Sequence, residues 1–167
     1  MKDLKNKVVV ITGAGSGIGR ALAIQFANEG SKLALNDFDK ESLEETISLL
    51  NTSDVYFEVF DVAVKENFET FASNVNEKFG KVDVVINNAG VALGKSNLLQ
   101  TEYEDFEWLM NINFWGSVYG TKSFLPYLLK EKEASVVNIS SVFGIAGIAD
   151  QVPYCSSKFA IRGFTEA

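Results

Sequence analysis

The sequence contains no histidine. That removes the commonest general base and the commonest metal ligand, so acid–base chemistry must come from tyrosine, lysine, cysteine or carboxylates. Cysteine occurs once, as Cys155, which excludes an internal disulfide and gives no sign of an oxidising compartment. No apolar run approaches the length of a membrane span. Basic residues are in deficit, 15 against 22 acidic ones, and the net charge of −7 argues against a nucleic-acid or anionic-membrane surface. Residues 1–7 run directly into a strand-like segment, without the apolar stretch and cleavage site of a signal peptide. A cytoplasmic setting is therefore expected. What is present is 167 residues with 47% hydrophobic content, enough for one domain with its own core.

Short apolar runs alternate with helical patterns along the whole chain. Strands are expected at 8–11, 32–35, 55–60, 82–86 and 135–139. Helices are expected at 18–29 with Gly30 as the stop, at 40–50, at 65–79 closed by Gly80, and from Val152 to the end. Residues 103–130 read as mostly helical, with Pro126 as the expected bend or interruption. The strands are continuous apolar runs, not polar–apolar alternations, so both of their faces are expected to be buried. That pattern predicts an α/β domain, a doubly wound parallel sheet with helices on each side. Its ligand should sit at the carboxyl ends of the strands. Those ends carry Thr12-Gly13, Asp37, Asp61, Asn87 to Gly90 and Ser140-Ser141.

The first strand is followed by Thr12-Gly13-Ala14-Gly15-Ser16-Gly17-Ile18-Gly19 and then a helix. Strand, glycine turn and helix N-terminus together suit a dinucleotide pyrophosphate, because the backbone can approach the phosphates and free N–H groups face them. The spacing is GxxxGxG through Gly13, Gly17 and Gly19, not GxGxxG. Asp37 ends the second strand, eighteen residues after Gly19. A carboxylate there can accept both ribose hydroxyls of an adenosine and would repel a 2′-phosphate, which favours NAD over NADP. A helix-entry role is the alternative for Asp37, although Asp39 is better placed for it. Tyr154 and Lys158 stand four residues apart, with Ser141 thirteen residues upstream of the tyrosine. On a helix, i and i+4 share a face, so a phenol and an ammonium would point into one space.

Taken together, TGAGSGIG at 12–19, Asp61-Val62, NNAG at 87–90, Asn113 in NINFWG, Ser141 in NISS and YCSSK at 154–158 follow one order over essentially the whole chain. In this the sequence resembles the short-chain dehydrogenase/reductase family. The resemblance implies a Rossmann-like sheet of order 3-2-1-4-5 and an NAD(P)-dependent oxidoreductase acting between alcohols and ketones or aldehydes. It makes Tyr154 the general acid/base. Lys158 would bind the nicotinamide ribose and favour the phenolate. Ser141 would hydrogen-bond the substrate oxygen, and Asn113 would hold a water in the proton relay. Thr12, Gly13, Ser16, Gly17, Ile18, Gly19, Asp37, Asp61, Val62, Asn88, Ala89 and Gly90 would bind the cofactor with Tyr154 and Lys158; Asp61 and Val62 would flank its adenine. A cation about 4 Å from a phenolate, at an effective dielectric of ~20, favours it by on the order of 4 kcal/mol.

Members of that family continue past the point matching Ala167 with further strands and a substrate loop. The 167 residues are therefore expected to be its N-terminal portion, a single domain incomplete at the C-terminus. A non-catalytic nucleotide-binding fragment is the alternative reading, and a sugar-nucleotide epimerase a more distant one. No metal is implied. The resemblance implies a homodimer or homotetramer for the full-length protein. Val91, Leu93, Val142 and Phe143 near the active edge suggest a fairly apolar carbonyl substrate. Phe114, Trp115 and Phe143 themselves read as packing residues, and Cys155 as a small helix residue.

Overall fold

The apolar run at 8–11 becomes the middle of a sheet. The computed structural model describes residues 3–94 and 97–167, so Met1 and Lys2 of the opening stretch lie outside the described residues. In it every residue of β1 (Val8–Thr12) is buried. β1 pairs in parallel with β2 (Lys32–Asp37) on one side and β4 (Val84–Asn87) on the other. β3 (Val55–Val59) adds beyond β2 and β5 (Ser135–Asn138) beyond β4, both parallel. The order β3-β2-β1-β4-β5 is the expected one.

Side chains alternate across the strands, so the sheet feeds two cores. Val8, Val10, Ala34 and Val85 join Phe68, Phe71 and Val75 of α3 (Lys65–Phe79) and Phe124 and Leu128 of α5 (Gly116–Leu128). Val9, Ile11, Leu33, Leu35, Val84 and Ile86 join Ala23 and Ala27 of α1 (Gly17–Asn28) and Leu43 of α2 (Lys40–Ser48). Helices thus cover both faces. Each fully buried Val, Leu, Ile or Phe contributes roughly 1.5–3 kcal/mol. Phe71 adds edge-to-face contacts with Phe60 and Phe124, at ring separations of 5.3 and 5.7 Å. Asp39 caps α2 by accepting from Ser42 N–H at 3.0 Å, which leaves Asp37 for another role.

Two expectations need correction. Burial on both faces holds for β1, β2 and β4 but not for β3 and β5, where Phe57, Val59 and Val137 are exposed. These strands lie at the two edges, with one strand neighbour each among the described residues, so less packs on them. The interruption in 103–130 is also elsewhere. α4 (Tyr103–Met110) passes into a π-helical turn at Asn111–Trp115 and then into α5, which runs through Pro126 to Leu128. The proline falls in the last turn of α5, and Leu129 N–H still donates to Leu125 C=O beyond it. The π turn carries the buried Asn113, whose amide finds partners distant in sequence, Val91 and Ser157. α6 (Val152–Glu166) packs against α4, the π turn and β5.

Candidate functional site

The site grows from the carboxyl ends of the strands. After β1 the chain turns at Gly13 (φ +65°) and enters α1 at Gly17 (φ +52°), backbone conformations that disfavour a side chain. The first turn of α1 carries no acidic residue, and the hydroxyl of its cap, Ser16, makes no capping hydrogen bond. The helix N-terminus is therefore a positive, donor-rich wall. Gly19 supports it from behind, since a Cβ there would collide with the Gly13 carbonyl.

Two further loops lock onto this turn. Thr12 Oγ1 accepts from the N–H groups of Asn88 and Ala89, both at 3.1 Å. Asn88 Nδ2 donates to the carbonyls of Thr12 (2.9 Å) and Gly13 (3.1 Å). The neighbouring Asn87 points the other way, its Nδ2 donating to Asn138 Oδ1, Thr121 Oγ1 and Ser117 C=O. At the end of β2, the Asp37 carboxylate accepts from Gly15 N–H (2.7 Å) and Asp39 N–H (3.0 Å). Each oxygen thus keeps acceptor capacity for a further donor. Asp61 turns the chain after β3 by accepting from Ala63 N–H at 2.9 Å. Val62 packs against Gly116.

The candidate reactive side chains come from the other half of the sheet. Ser141 Oγ accepts from Phe143 N–H at 3.2 Å and so starts the short 3-10 turn Val142–Gly144; its hydroxyl hydrogen remains to donate. α6 then begins at Val152, with Pro153 in the first turn, where a missing N–H costs nothing. Tyr154 and Lys158 lie one turn apart on it, the ammonium 5.6 Å from the centre of the phenol ring. Phe143 meets the same ring edge-on at 5.8 Å. Lys158 is only 4% exposed. Its Nζ donates to Ile139 C=O at 2.9 Å. Burial holds its ionisation below the ordinary lysine range. Ser140 Oγ donates to the Lys158 carbonyl, fastening the helix to the end of β5.

One cleft of about 630 Å³ joins these parts. Of the sequence-predicted residues, Gly13, Ser16, Gly17, Ile18, Asp37, Asp61, Val62, Asn88, Ala89, Gly90, Ser141, Tyr154 and Lys158 line it. Thr12, Gly19 and Asn113 are not in its lining; they stand behind the wall. Asn113 is 1% exposed, and both its amide hydrogens are engaged, one with Val91 C=O (2.9 Å) and one with Ser157 Oγ (3.1 Å). Its Oδ1 accepts from Val91 N–H at 2.8 Å. Asn113 therefore clamps the wall of the cleft to the helix carrying Tyr154. Sequence reasoning missed Asn36, Phe38, Trp108 and Ile112, which also line the cleft. Phe38, an aromatic directly after Asp37 and 77% exposed, carried a usable signal. Trp108 and Ile112, four apart across the helix–π junction, carried one too.

The sequence model of the family described as short chain dehydrogenase matches residues 7–167. The chain is 44% identical over 169 residues to the protein named SadH from Mycobacterium tuberculosis, covering 100% of this chain and 61% of that one. It is 38% identical over 169 residues to human epidermal retinol dehydrogenase 2, covering 99% of this chain and 54% of that one. It thus spans between half and two thirds of the length of these curated relatives. A solved short chain dehydrogenase/reductase from Burkholderia phymatum in complex with NAD superposes with a TM-score of 0.95 at 37% identity, over 99% of this chain and 60% of that one.

Proposed function

The chain belongs to the short chain dehydrogenase family, and on that premise we propose that it carries the cofactor site and catalytic residues of an NAD(P)-dependent oxidoreductase that interconverts an alcohol and a ketone or aldehyde. The observation behind this reading is the meeting of the glycine turn, Asp37 and the Ser141–Tyr154–Lys158 group in one cleft. The residues fit a nicotinamide dinucleotide. The N-terminus of α1 offers N–H groups to a pyrophosphate, and both Asp37 oxygens keep acceptor capacity for ribose hydroxyls. Lys158 has ammonium hydrogens beyond the one given to Ile139. When bound, the nicotinamide supplies or accepts the hydride.

The chain's own residues handle the proton. Tyr154 gives its phenolic hydrogen to the carbonyl oxygen during reduction and takes it back during oxidation. Lys158 favours the phenolate and holds the nicotinamide ribose. Ser141 donates its remaining hydrogen to the substrate oxygen and fixes its distance from Tyr154. Asn113 is a positioning residue, keeping the Gly90–Val91 wall in register with α6. Asp37 favours NAD over NADP, because a 2′-phosphate would stand beside a carboxylate. Asp61 and Val62 flank the adenine.

The substrate is apolar. Val142, 67% exposed, follows Ser141 directly, and Phe143 packs on Tyr154. The name of the human relative, a retinol dehydrogenase, agrees with an apolar alcohol. Trp115, Leu125, Leu129 and Phe159 leave apolar surface on the π turn, the α5 region and α6, which suits association into a homo-oligomer. Among the described residues, no helix is long and apolar enough to cross a membrane.

The test is a titration of the chain with NAD and NADP, followed by absorbance at the NADH band with a panel of apolar secondary alcohols. Weak binding of a dinucleotide with slow alcohol-dependent reduction is expected of these 167 residues. A chain that binds neither dinucleotide sinks the reading.

A further inference from the structure

One cation beside the cleft has no part in the chemistry above. Arg20 lies in the first helical turns of α1 and turns its guanidinium back onto the glycine loop. Nε and Nη2 donate to the Gly15 carbonyl, at 3.0 and 2.5 Å. Nε also donates to Thr46 Oγ1 at 2.9 Å, and Nη2 to the exposed Glu45 carboxylate at 2.6 Å. The hydroxyl of Thr46, a fully buried residue of α2, shares its one hydrogen between the Ser42 carbonyl at 3.1 Å and the same Gly15 oxygen at 3.2 Å. The N–H of Gly15 is the group that holds Asp37 Oδ2 at 2.7 Å. A Cβ at Gly15 would come within 2.8 Å of that carboxylate oxygen, so the approach of the loop to Asp37 is as close as a backbone allows. Arg20 is paired with Glu45 and not with Asp37, so it leaves the carboxylate charge unneutralised.

We propose that Arg20, assisted by Thr46, is a positioning residue for the adenosine ribose of the cofactor. It holds the Gly15 carbonyl so that the Gly15 and Asp39 N–H groups together fix the direction of the Asp37 carboxylate. Without that hold, the Gly15 turn rotates and Asp37 loses one of its two orienting donors. The effect belongs to the adenosine half of the dinucleotide and leaves the nicotinamide half, bounded by Tyr154 and Lys158, as it was. The inference rests on the cofactor reading above.

The test is calorimetric titration of the chain and of Arg20→Met and Thr46→Val with three probes: NAD, ADP-ribose and nicotinamide mononucleotide. The expected result is a Kd for NAD and ADP-ribose raised about tenfold by Arg20→Met and about threefold by Thr46→Val, the scale of one to two net hydrogen bonds. Nicotinamide mononucleotide, which has no adenosine, should bind all three proteins alike. Thr46→Val keeps the side-chain shape and every charge, so its effect separates hydrogen bonding from a lost cation and survives if Arg20→Met folds poorly. Unchanged NAD affinity in Thr46→Val, or an equal loss for nicotinamide mononucleotide, overturns the inference while leaving the cofactor reading intact. An unsubstituted chain that binds no dinucleotide overturns both.

Discussion

Asp83 offers a test of what holds the cleft's platform together, at the end of the sheet opposite the site. It is fully buried just before β4, accepts hydrogen bonds at 2.9 Å from Val8 N–H and Lys7 Nζ, and forms an ion pair with Lys81 Nζ, also at 2.9 Å. Its backbone N–H donates to Val8 C=O, and its C=O accepts from Ser135 N–H, so one residue ties β1, β4 and β5 together. Asp83→Ala leaves a buried Val8 N–H without an acceptor, which costs about 1–3 kcal/mol. The two ammoniums are partly exposed and return to water, adding only about 0.5 kcal/mol each. The total is about 3 kcal/mol; Asp83→Asn, which keeps an acceptor for Val8, should lose roughly 1–2 kcal/mol. Urea unfolding reads this directly: at a slope of ~2 kcal/mol per molar, the alanine variant's midpoint falls by about 1.5 M with an unchanged slope. Burial by itself would push the Asp83 carboxyl up, but the hydrogen bonds from Lys7, Val8 and Lys81 outweigh it and hold it below the usual carboxylate range. A folded-state value below the unfolded one near ~3.9 means the stabilisation is fully present above that value. It is lost as pH falls through the folded value. The stability gap between the unsubstituted chain and Asp83→Asn should therefore be constant from neutral pH to about pH 5 and narrow below about pH 4. A gap that is the same, or wider, in acid refutes the reasoning.

Three substitutions probe the cleft itself. Tyr154→Phe keeps the ring contact with Phe143 and removes only the hydroxyl; turnover should fall by about 10²–10⁴-fold, with the NAD dissociation constant within about twofold, and lost NAD binding instead would contradict the assigned role. Asp37→Ser removes the charge facing a 2′-phosphate; with like charges ~6 Å apart at an effective dielectric of ~20, the NADP-to-NAD affinity ratio should rise about a hundredfold, and an unmoved ratio in paired titrations places the discrimination elsewhere. Gly19→Ala drives a methyl into the Gly13 carbonyl and displaces the start of α1; NAD affinity should drop by more than about tenfold while far-ultraviolet circular dichroism still reports a folded chain, and normal affinity would show that the turn tolerates the shift.

The strands of the sheet and its ligand edge were largely legible because their signals are local, whereas the strand order came from the resemblance. An apolar run such as Val8 to Ile11 must be buried wherever it goes, and a polar or glycine residue at a strand end marks the ligand edge in any doubly wound sheet. Exposure of β3 and β5 was not legible, because a strand's own residues do not state how many neighbours it has. Pro126 drew attention as the expected break because proline is a local signal, yet near the end of α5 it disturbs little. The real break, at Asn111–Trp115, depends on partners far away in sequence, Val91 and Ser157.

The same division runs through the site. Tyr154, Lys158 and Ser141 leave a spacing in the sequence that gains its proposed chemistry only from the joint set of motifs, whereas Asn113, Thr12 and Arg20 leave no such spacing. Asn113 was legible only through the resemblance, and even then its side chain serves the wall instead of facing the cleft. Arg20 sits one residue past the glycine motif and belongs to none of the motifs singled out in the sequence. Only the fold of α1 against α2 turns it toward Gly15 and puts Thr46, twenty-six residues away, on the same oxygen. Residues that meet the ligand are constrained by its chemistry and leave a mark in the sequence. Residues that aim them are constrained by a peptide group that any sequence has. The aiming residues are therefore where mutation should shift cofactor affinity without touching a predicted motif, which is what Thr46→Val is designed to reveal.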